Sequence, residues 1–132
     1  MTPAELLSLM PFAVAVGMEL EAATPEEVRG RLPWAPDRCT GGGLLHGGAL
    51  MTLADSVGAV CAFLNLPPGA TTATVASATS LVRGVRGGAA HAVAHPRHVG
   101  RSFILVAVEV TDDDGRLVAE VSQTQAVLGS TG

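Results

Sequence analysis

The stretch LLHGGALMTLADSVGAVCAFLN, residues 44–65, carries a single Asp, Glu, Lys or Arg side chain, that of Asp55. It opens with a histidine and two glycines, and it ends shortly before Pro67 and Pro68, which cannot continue a helix. An apolar run of this length favours a buried helix over a strand. Burying an isolated carboxylate among apolar groups is costly, so Asp55 needs a chemical reason.

Helical periodicity divides this stretch into two faces. We expect one face to pack on a sheet, because it is a broad apolar stripe of Leu50, Leu53, Ala54, Val57, Val60, Cys61 and Leu64. Asp55 lies about 140° from Leu50, on the other face. Its neighbours there are Met51, Thr52, Gly58, Ala59 and Ala62. Such small, uncharged residues predict that this face is also covered, with Asp55 in a crevice. The alternative is a solvated aspartate or one paired with an arginine.

Composition limits the classes of function. The 132 residues suit one domain with a real core, predicted to span residues 1–132. Charged residues make up only 15% of the chain, below the usual quarter or so, which predicts that copies of the chain cover part of its surface. The net charge of −4 and the lack of a basic, aromatic-rich stripe argue against nucleic acid as a partner.

Compartment and metal content follow from the cysteines and the N-terminus. Cys39 and Cys61 show no metal-ligand spacing, which argues against structural zinc. The N-terminus lacks the basic region of a signal peptide, so we expect a cytoplasmic protein with free thiols. Residues 47–64 just reach the length of a membrane span. Asp55 near their middle and the absence of flanking anchors favour a core helix and no membrane.

The rest of the chain predicts a short helix followed mainly by strands. Thr2-Pro3-Ala4-Glu5 is typical of a helix start, and this helix is expected to reach about Met10. The predicted strands are residues 18–22, 28–32, 71–85, 89–99, 103–111 and 117–128. Short connections, including an Asp-Gly hairpin turn at residues 113–115, predict an antiparallel sheet covered by the long helix. This is an α+β architecture in two layers.

His46-Gly47-Gly48 stands where the long helix begins. Unpaired backbone N–H groups point outward there, and the helix dipole favours negative charge. Glycines let a ligand oxygen approach such amides, which can hold a developing oxyanion. The alternative is a tight turn capped by His46. Together with a carboxylate about two turns further along, the motif favours carbonyl chemistry in which water or the carboxylate attacks.

These residues resemble a known family. LLHGGALMTLADSVGAV is similar to the helix motif of the small hotdog-fold acyl-CoA thioesterases, the group that includes the phenylacetate-pathway enzymes. An acidic residue nine positions after the histidine of HGG is a fairly specific feature. The later segments SLVRGVRGG, HPRHVGRS and VAEVSQTQAVL follow the same layout, so the resemblance covers nearly the whole chain. It implies a hotdog fold, in which a curved antiparallel sheet wraps one long central helix.

The resemblance also implies an assembly and roles for the site residues. Subunits of this family pair edge to edge, often as tetramers of two such dimers, and the active sites lie at the dimer interface. Asp55 is then the general base or nucleophile, acting with the HGG segment of the other subunit. In that segment His46 orients the site, and the Gly47 and Gly48 amides polarise the thioester carbonyl. Thr40 stands where the family usually has Asn or Gln, and its hydroxyl reaches less far.

The implied reaction is hydrolysis of an aryl- or medium-chain acyl-CoA to a free acid and coenzyme A. No metal or separate cofactor is implied, because coenzyme A is part of the substrate. Arginine suits phosphate recognition, and the residues matching the family's coenzyme A segments are Arg83, Arg86, Arg97, His98 and Arg101, with Arg101 and Arg83 favoured. Each could instead be a solvated surface residue.

Two alternative functions remain open at the level of sequence: a hotdog enoyl-CoA hydratase or dehydratase, and a non-catalytic acyl-CoA-binding module. The acyl group itself is not identified. We expect Met51, Phe63, Val75 and the first helix to set the depth of its pocket.

Overall fold

Six antiparallel strands wrap one long helix in the computed structural model, which describes residues 1–129. The elements are α1 (Pro3–Ser8), α2 (Pro11–Val16), β1 (Glu19–Ala23), β2 (Val28–Pro33), α3 (Gly47–Leu64), β3 (Thr71–Leu81), β4 (Ala89–Val99), β5 (Phe103–Thr111) and β6 (Leu117–Leu128). The strand order is β1-β2-β4-β5-β6-β3. The predicted α+β hotdog fold is confirmed, although residues 130–132 of the predicted domain lie outside the described residues.

Helix α3 forms the centre of the core. His46 is its N-cap and Asn65 its C-cap. The predicted sheet-facing stripe is buried at every position except Leu64, which is half-buried. The helix is apolar enough to cross a membrane by length and composition, yet half of it is buried inside the fold. The prediction of a core helix is therefore confirmed.

The other face of α3 is partly covered, as expected. Gly58 is buried against Val108 of β5 and Gln123 of β6, and Ala62 is buried as well. A Cβ on Gly58 would overlap Gln123 Oε1 and lie 3.4 Å from Val108 Cγ2, so glycine is needed to leave the Gln123 amide in its place. Met51 and Asp55 remain exposed on this face. The crevice beside Asp55 is walled by α2, α3 and β3 of the same chain.

The N-terminal segment forms two helices where the sequence predicts one. Thr2 Oγ1 accepts a hydrogen bond from the Glu5 N–H at 3.2 Å, as the N-cap pattern predicts. Helix α1 ends at Ser8, and α2 begins with Pro11, a residue that suits the first position of a helix. Gly17 closes α2 with a φ of 92°. The apolar run in α2 has no clear helical period, which is why the sequence pattern did not predict this helix.

Strand β3 lies at the edge of the sheet. It pairs with β6 from Thr71↔Leu128 to Leu81↔Ala119, while β4 pairs with β2 and β5. The loop after β3 therefore carries the chain across the sheet, and β3 ends at Leu81 rather than at residue 85 as predicted. Its outer edge pairs with nothing within residues 1–129, and Val75 is 62% exposed.

Candidate active site

Asp55 lines a cavity of about 490 Å³ between α3, β3 and the N-terminal helices. Its Oδ1 accepts hydrogen bonds from Thr74 Oγ1 at 2.8 Å and from Gln123 Nε2 at 3.0 Å. Within residues 1–129, Oδ2 accepts no hydrogen bond, and no arginine lies within salt-bridge distance. The carboxylate is therefore oriented by neutral donors from two strands, and one oxygen is left for a ligand.

Two buried glutamines behind Asp55 were missed by sequence reasoning. Gln123 and Gln125 are 1% and 0% exposed. Gln125 Nε2 donates to Thr74 Oγ1 at 2.7 Å and to Gln123 Oε1 at 3.1 Å. The strand period could have indicated their burial. Residues two apart share one face of a strand, so both glutamines lie on the same face as the core residue Val121.

The cavity beside Asp55 continues into a second, mainly apolar space. This neighbouring cavity has a volume of about 290 Å³ and shares Met10 and Ala59 with the first. Of the residues expected to shape an acyl pocket, Met51 lines the first cavity, while Phe63 and the first helix line the second. Val75 lines neither. Helix α2 adds Phe12, a wall residue that the sequence did not predict.

The N-terminus of α3 presents one free amide rather than two. His46 Nδ1 accepts a hydrogen bond from the Gly48 N–H at 2.8 Å, so His46 is a helix cap, as the alternative interpretation had it. The Gly48 amide is therefore engaged, which corrects the expectation that it faces a substrate. Within the described residues the Gly47 N–H has no partner. Because Nδ1 is the acceptor, the ring proton lies on Nε2, which can donate outward.

The loop before α3 folds back on itself, so that Thr40 lies beside Leu44, two residues before His46. Trp34 Nε1 donates to the Gly43 carbonyl at 2.9 Å, and the Thr40 N–H donates to the Leu44 carbonyl at 2.8 Å. Thr40 itself is exposed, and its hydroxyl makes no hydrogen bond within residues 1–129.

The two halves of the predicted site are far apart within one chain. Gly47 and Asp55 are eight residues apart on a single helix, which corresponds to about 12 Å along its axis. Reacting groups must approach within about 3–3.5 Å. One thioester carbonyl therefore cannot contact both the Gly47 amide and the Asp55 carboxylate of the same chain.

The five basic residues do not form one cluster in the chain, contrary to expectation. Arg83 and Arg86 lie in the loop after β3, near the N-terminus of α3. Arg97, His98 and Arg101 lie where β4 turns into β5, at the other end of the sheet. The antiparallel register places that turn beside the start of β3 rather than its end. The two groups are separated by roughly the length of β3, about 35 Å.

The surroundings of these basic residues differ as well. Arg83 and Arg86 line a cavity of about 630 Å³ together with Arg116 and residues 112–114, which are all aspartates. The Arg116 backbone N–H, followed by that of Asp114 and the Arg116 guanidinium, holds the pKa of Asp112 below its usual value. At the opposite end, the His98 ring lies 5.5 Å from that of Phe103. Arg97 lines a separate cavity of about 830 Å³ whose lining includes Glu109 and Glu120.

Comparison with known proteins gives consistent matches. A model of the thioesterase superfamily matches residues 42–119. The chain is 32% identical over 109 residues to the 1,4-dihydroxy-2-naphthoyl-CoA hydrolase of Escherichia coli, covering 83% of this chain and 74% of that protein. It is 30% identical over 110 residues to the proofreading thioesterase EntH of Cronobacter sakazakii, covering 83% and 74%. A crystal structure of a Haemophilus influenzae thioesterase, 23% identical, superposes with a TM-score of 0.92 over 100% of this chain and 94% of that one.

Proposed function

Because this chain belongs to the thioesterase superfamily and is a thioester hydrolase, we propose that it hydrolyses an acyl-CoA to a free acid and coenzyme A, with Asp55 as the catalytic carboxylate. One observation carries this proposal. Asp55 lines a cavity, held by two neutral donors on Oδ1 with Oδ2 unpartnered within residues 1–129. The Escherichia coli relative, whose name gives a CoA thioester as substrate, supports coenzyme A as the leaving group.

The acyl group is proposed to be aromatic or of medium chain length. The cavity beside Asp55 and its apolar neighbour adjoin each other through Met10 and Ala59. Their walls are mostly apolar side chains, which stabilise an acyl chain or ring by removing it from water. The proposed location is the cytoplasm, where Cys39 and Cys61 stay as thiols.

The chemistry proceeds by attack on the thioester carbonyl. As a general base, Asp55 takes a proton from water while the water oxygen bonds to the carbonyl carbon. As a nucleophile, its own oxygen forms that bond, and water later hydrolyses the resulting anhydride. In both routes the carbonyl oxygen becomes an oxyanion that the Gly47 N–H stabilises. The C–S bond then breaks, and coenzyme A leaves as a thiolate that takes up a proton.

The site is proposed to combine two subunits. Within one chain, Gly47 lies near Leu81 at the end of β3. Asp55 instead accepts a hydrogen bond from Thr74, near the start of β3. Antiparallel pairing of two β3 edges about a two-fold axis places the end of one strand beside the start of the other. Gly47 of a second copy then approaches Asp55. The long unpaired edge of β3, which would otherwise risk aggregation, supports this pairing.

The same pairing explains why the basic residues lie at two opposite ends of the sheet within one chain. It brings Arg83 and Arg86 of one copy toward Arg97, His98 and Arg101 of the other copy. We propose that coenzyme A phosphates bind along this shared edge, with Arg101 and Arg83 as the main contacts. Dimers of this kind can assemble further into tetramers.

A substrate panel tests the proposed function. Release of coenzyme A from aryl-CoA and fatty-acyl-CoA thioesters is followed with a thiol reagent for wild type and for Asp55→Asn. We expect Asp55→Asn to lower kcat by about a hundredfold or more. Its amide oxygen can still accept from Thr74 and Gln123, so the fold is retained. Equal rates for the two proteins on every substrate would rule out Asp55 as the catalytic group.

A further inference from the structure

We propose that Gln123, backed by Gln125, is a positioning residue that holds the Asp55 carboxylate in the orientation needed for attack. This inference rests on the proposed function and deepens it. Gln123 and Gln125 are the only glutamines in the chain. Both are almost fully buried, and neither reaches the cavity beside Asp55. They therefore act on the reaction only through Asp55.

The donors in this network all point toward Asp55. At the deep end, Thr72 Oγ1 donates to the Ala126 carbonyl at 2.8 Å and lies 3.3 Å from Gln125 Oε1. The Thr72 hydroxyl proton is used in the shorter bond to Ala126, so the Gln125 amide is oriented by its own two acceptors: its Nε2 donates to Thr74 and to Gln123.

The same direction continues at the other end of the network. Since Thr74 Oγ1 accepts from Gln125, its hydroxyl proton is free to go to Asp55 Oδ1. Since Gln123 Oε1 accepts from Gln125, its N–H groups also face Oδ1. Turning either amide round would set oxygen against oxygen.

The consequence is a carboxylate with two distinct oxygens. Oδ1 accepts two hydrogen bonds, one from Thr74 and one from Gln123. Oδ2 carries no such bond within residues 1–129, so it is the oxygen available to take a proton from water or to attack the carbonyl. The network also stops rotation about the side chain, so that Oδ2 stays in place during the reaction.

The fold makes room for this network at a cost. Gly58 lies in the middle of α3, where glycine is less favourable than alanine by about 1 kcal/mol. A Cβ there would overlap Gln123 Oε1 and lie 3.0 Å from Gln123 Cδ. Helix α3 therefore has glycine, a poorer helix former than alanine, at the position that faces the Gln123 amide. Within residues 1–129, no side-chain atom of either glutamine is buried without a partner, so the hydrogen bonds of the network are complete.

The test replaces Gln123 by methionine, which has nearly the same length and no amide. We expect kcat to fall about ten- to hundredfold, the worth of one hydrogen bond to a charged group, while KM changes little. A fall in kcat at unchanged KM separates this role from a loss of substrate binding, because Gln123 lines neither cavity. Thr124→Val is the matched control, since Thr124 lies on the same strand, has no side-chain hydrogen bond within residues 1–129, and should keep wild-type kinetics.

Gly58→Ala provides a second variant that leaves both glutamines in place. Alanine favours the helix but pushes the Gln123 amide away from its site, so kcat should fall while KM changes little. This keeps the test decisive if Gln123→Met unfolds, which thermal melting would reveal. A purely structural role predicts a lower melting temperature with unchanged kcat.

The two proposals fail in different ways. If Asp55→Asn is inactive but folded Gln123→Met and Gly58→Ala keep the wild-type kcat, the positioning role is refuted and the proposed function stands. If Asp55→Asn itself is as active as wild type, the catalytic role of Asp55 fails first. A fall in kcat at unchanged KM in both variants, with wild-type kinetics for Thr124→Val, supports the positioning role.

Discussion

A complementation experiment can decide whether each active site is shared between two chains. Gly47→Pro removes the amide proposed to polarise the carbonyl, and Asp55→Asn removes the carboxylate. About 12 Å of helix separates the two positions, so a site within one chain cannot use both. We expect each variant alone to lose about a hundredfold or more in kcat, as is typical for loss of an oxyanion donor or a base.

Gly47→Pro is well suited to this purpose. Proline is favoured at the first position of a helix, and Gly47 holds that position. The preceding residue, His46, has φ −62° and ψ 137°, a conformation that proline accepts after it. The lost N–H has no partner within residues 1–129, so no hydrogen bond of the fold is broken. Gly47→Ala is the control: its Cβ meets Leu81 Cδ1 at 2.9 Å, as a proline Cβ would, but it keeps the N–H.

The expected recovery follows from counting sites. When the two variants are co-expressed in equal amounts, half of the dimers are mixed, and each mixed dimer has one intact site and one with both defects. About a quarter of the wild-type activity per site should return. Mixed dimers purified through two different tags should reach about half.

The assay is thiol release from the best acyl-CoA of the panel, with each single variant as background. Co-expressed activity no greater than the average activity of the two single variants would refute the shared site. A site built within one chain would carry one defect in every dimer, mixed or not. A stable monomer with full activity in a sizing experiment would refute it independently. Gly47→Ala should retain most of the wild-type kcat; a loss as large as that of Gly47→Pro would assign the effect to crowding of Leu81.

Two further predictions concern stability and thiol reactivity. Asp112 accepts hydrogen bonds from the backbone N–H groups of Arg116 and Asp114, both at 2.9 Å, and its pKa is lowered in the fold. Its contribution to stability is therefore present above the pKa of the unfolded chain and is lost as pH falls through the lowered value. Asp112→Asn should lower the melting temperature at neutral pH by more than in strong acid, and an equal difference at both pH values would contradict this. Burial raises the pKa of the Cys61 thiol to about 11, so at about pH 8 Cys39 should react with a thiol reagent while Cys61 reacts only after unfolding. Equal labelling rates for native and unfolded protein would show that Cys61 is accessible.

Local patterns were sufficient for most of the architecture. The apolar stripe from Leu50 onward, ended by Pro67, determined that α3 is a core helix. The runs at residues 89–99, 103–111 and 117–128 became strands with those bounds. These features depend on side-chain periodicity and on residues that stop regular structure, and both act over a few neighbours along the chain. Helix α2 was missed because its apolar residues show no period.

The sequence by itself determined that a lone carboxylate, Asp55, follows a glycine-rich helix start by nine residues, and this spacing led to the family. Tertiary structure decided what surrounds that carboxylate. Gln123 lies 68 residues from Asp55, and only the curvature of the sheet brings its amide to Oδ1 and buries Gly58 against it. Tertiary structure also separated Arg83 from Arg101 and left the edge of β3 unpaired. Contacts between distant parts of the chain depend on strand order and register, which local propensity does not encode.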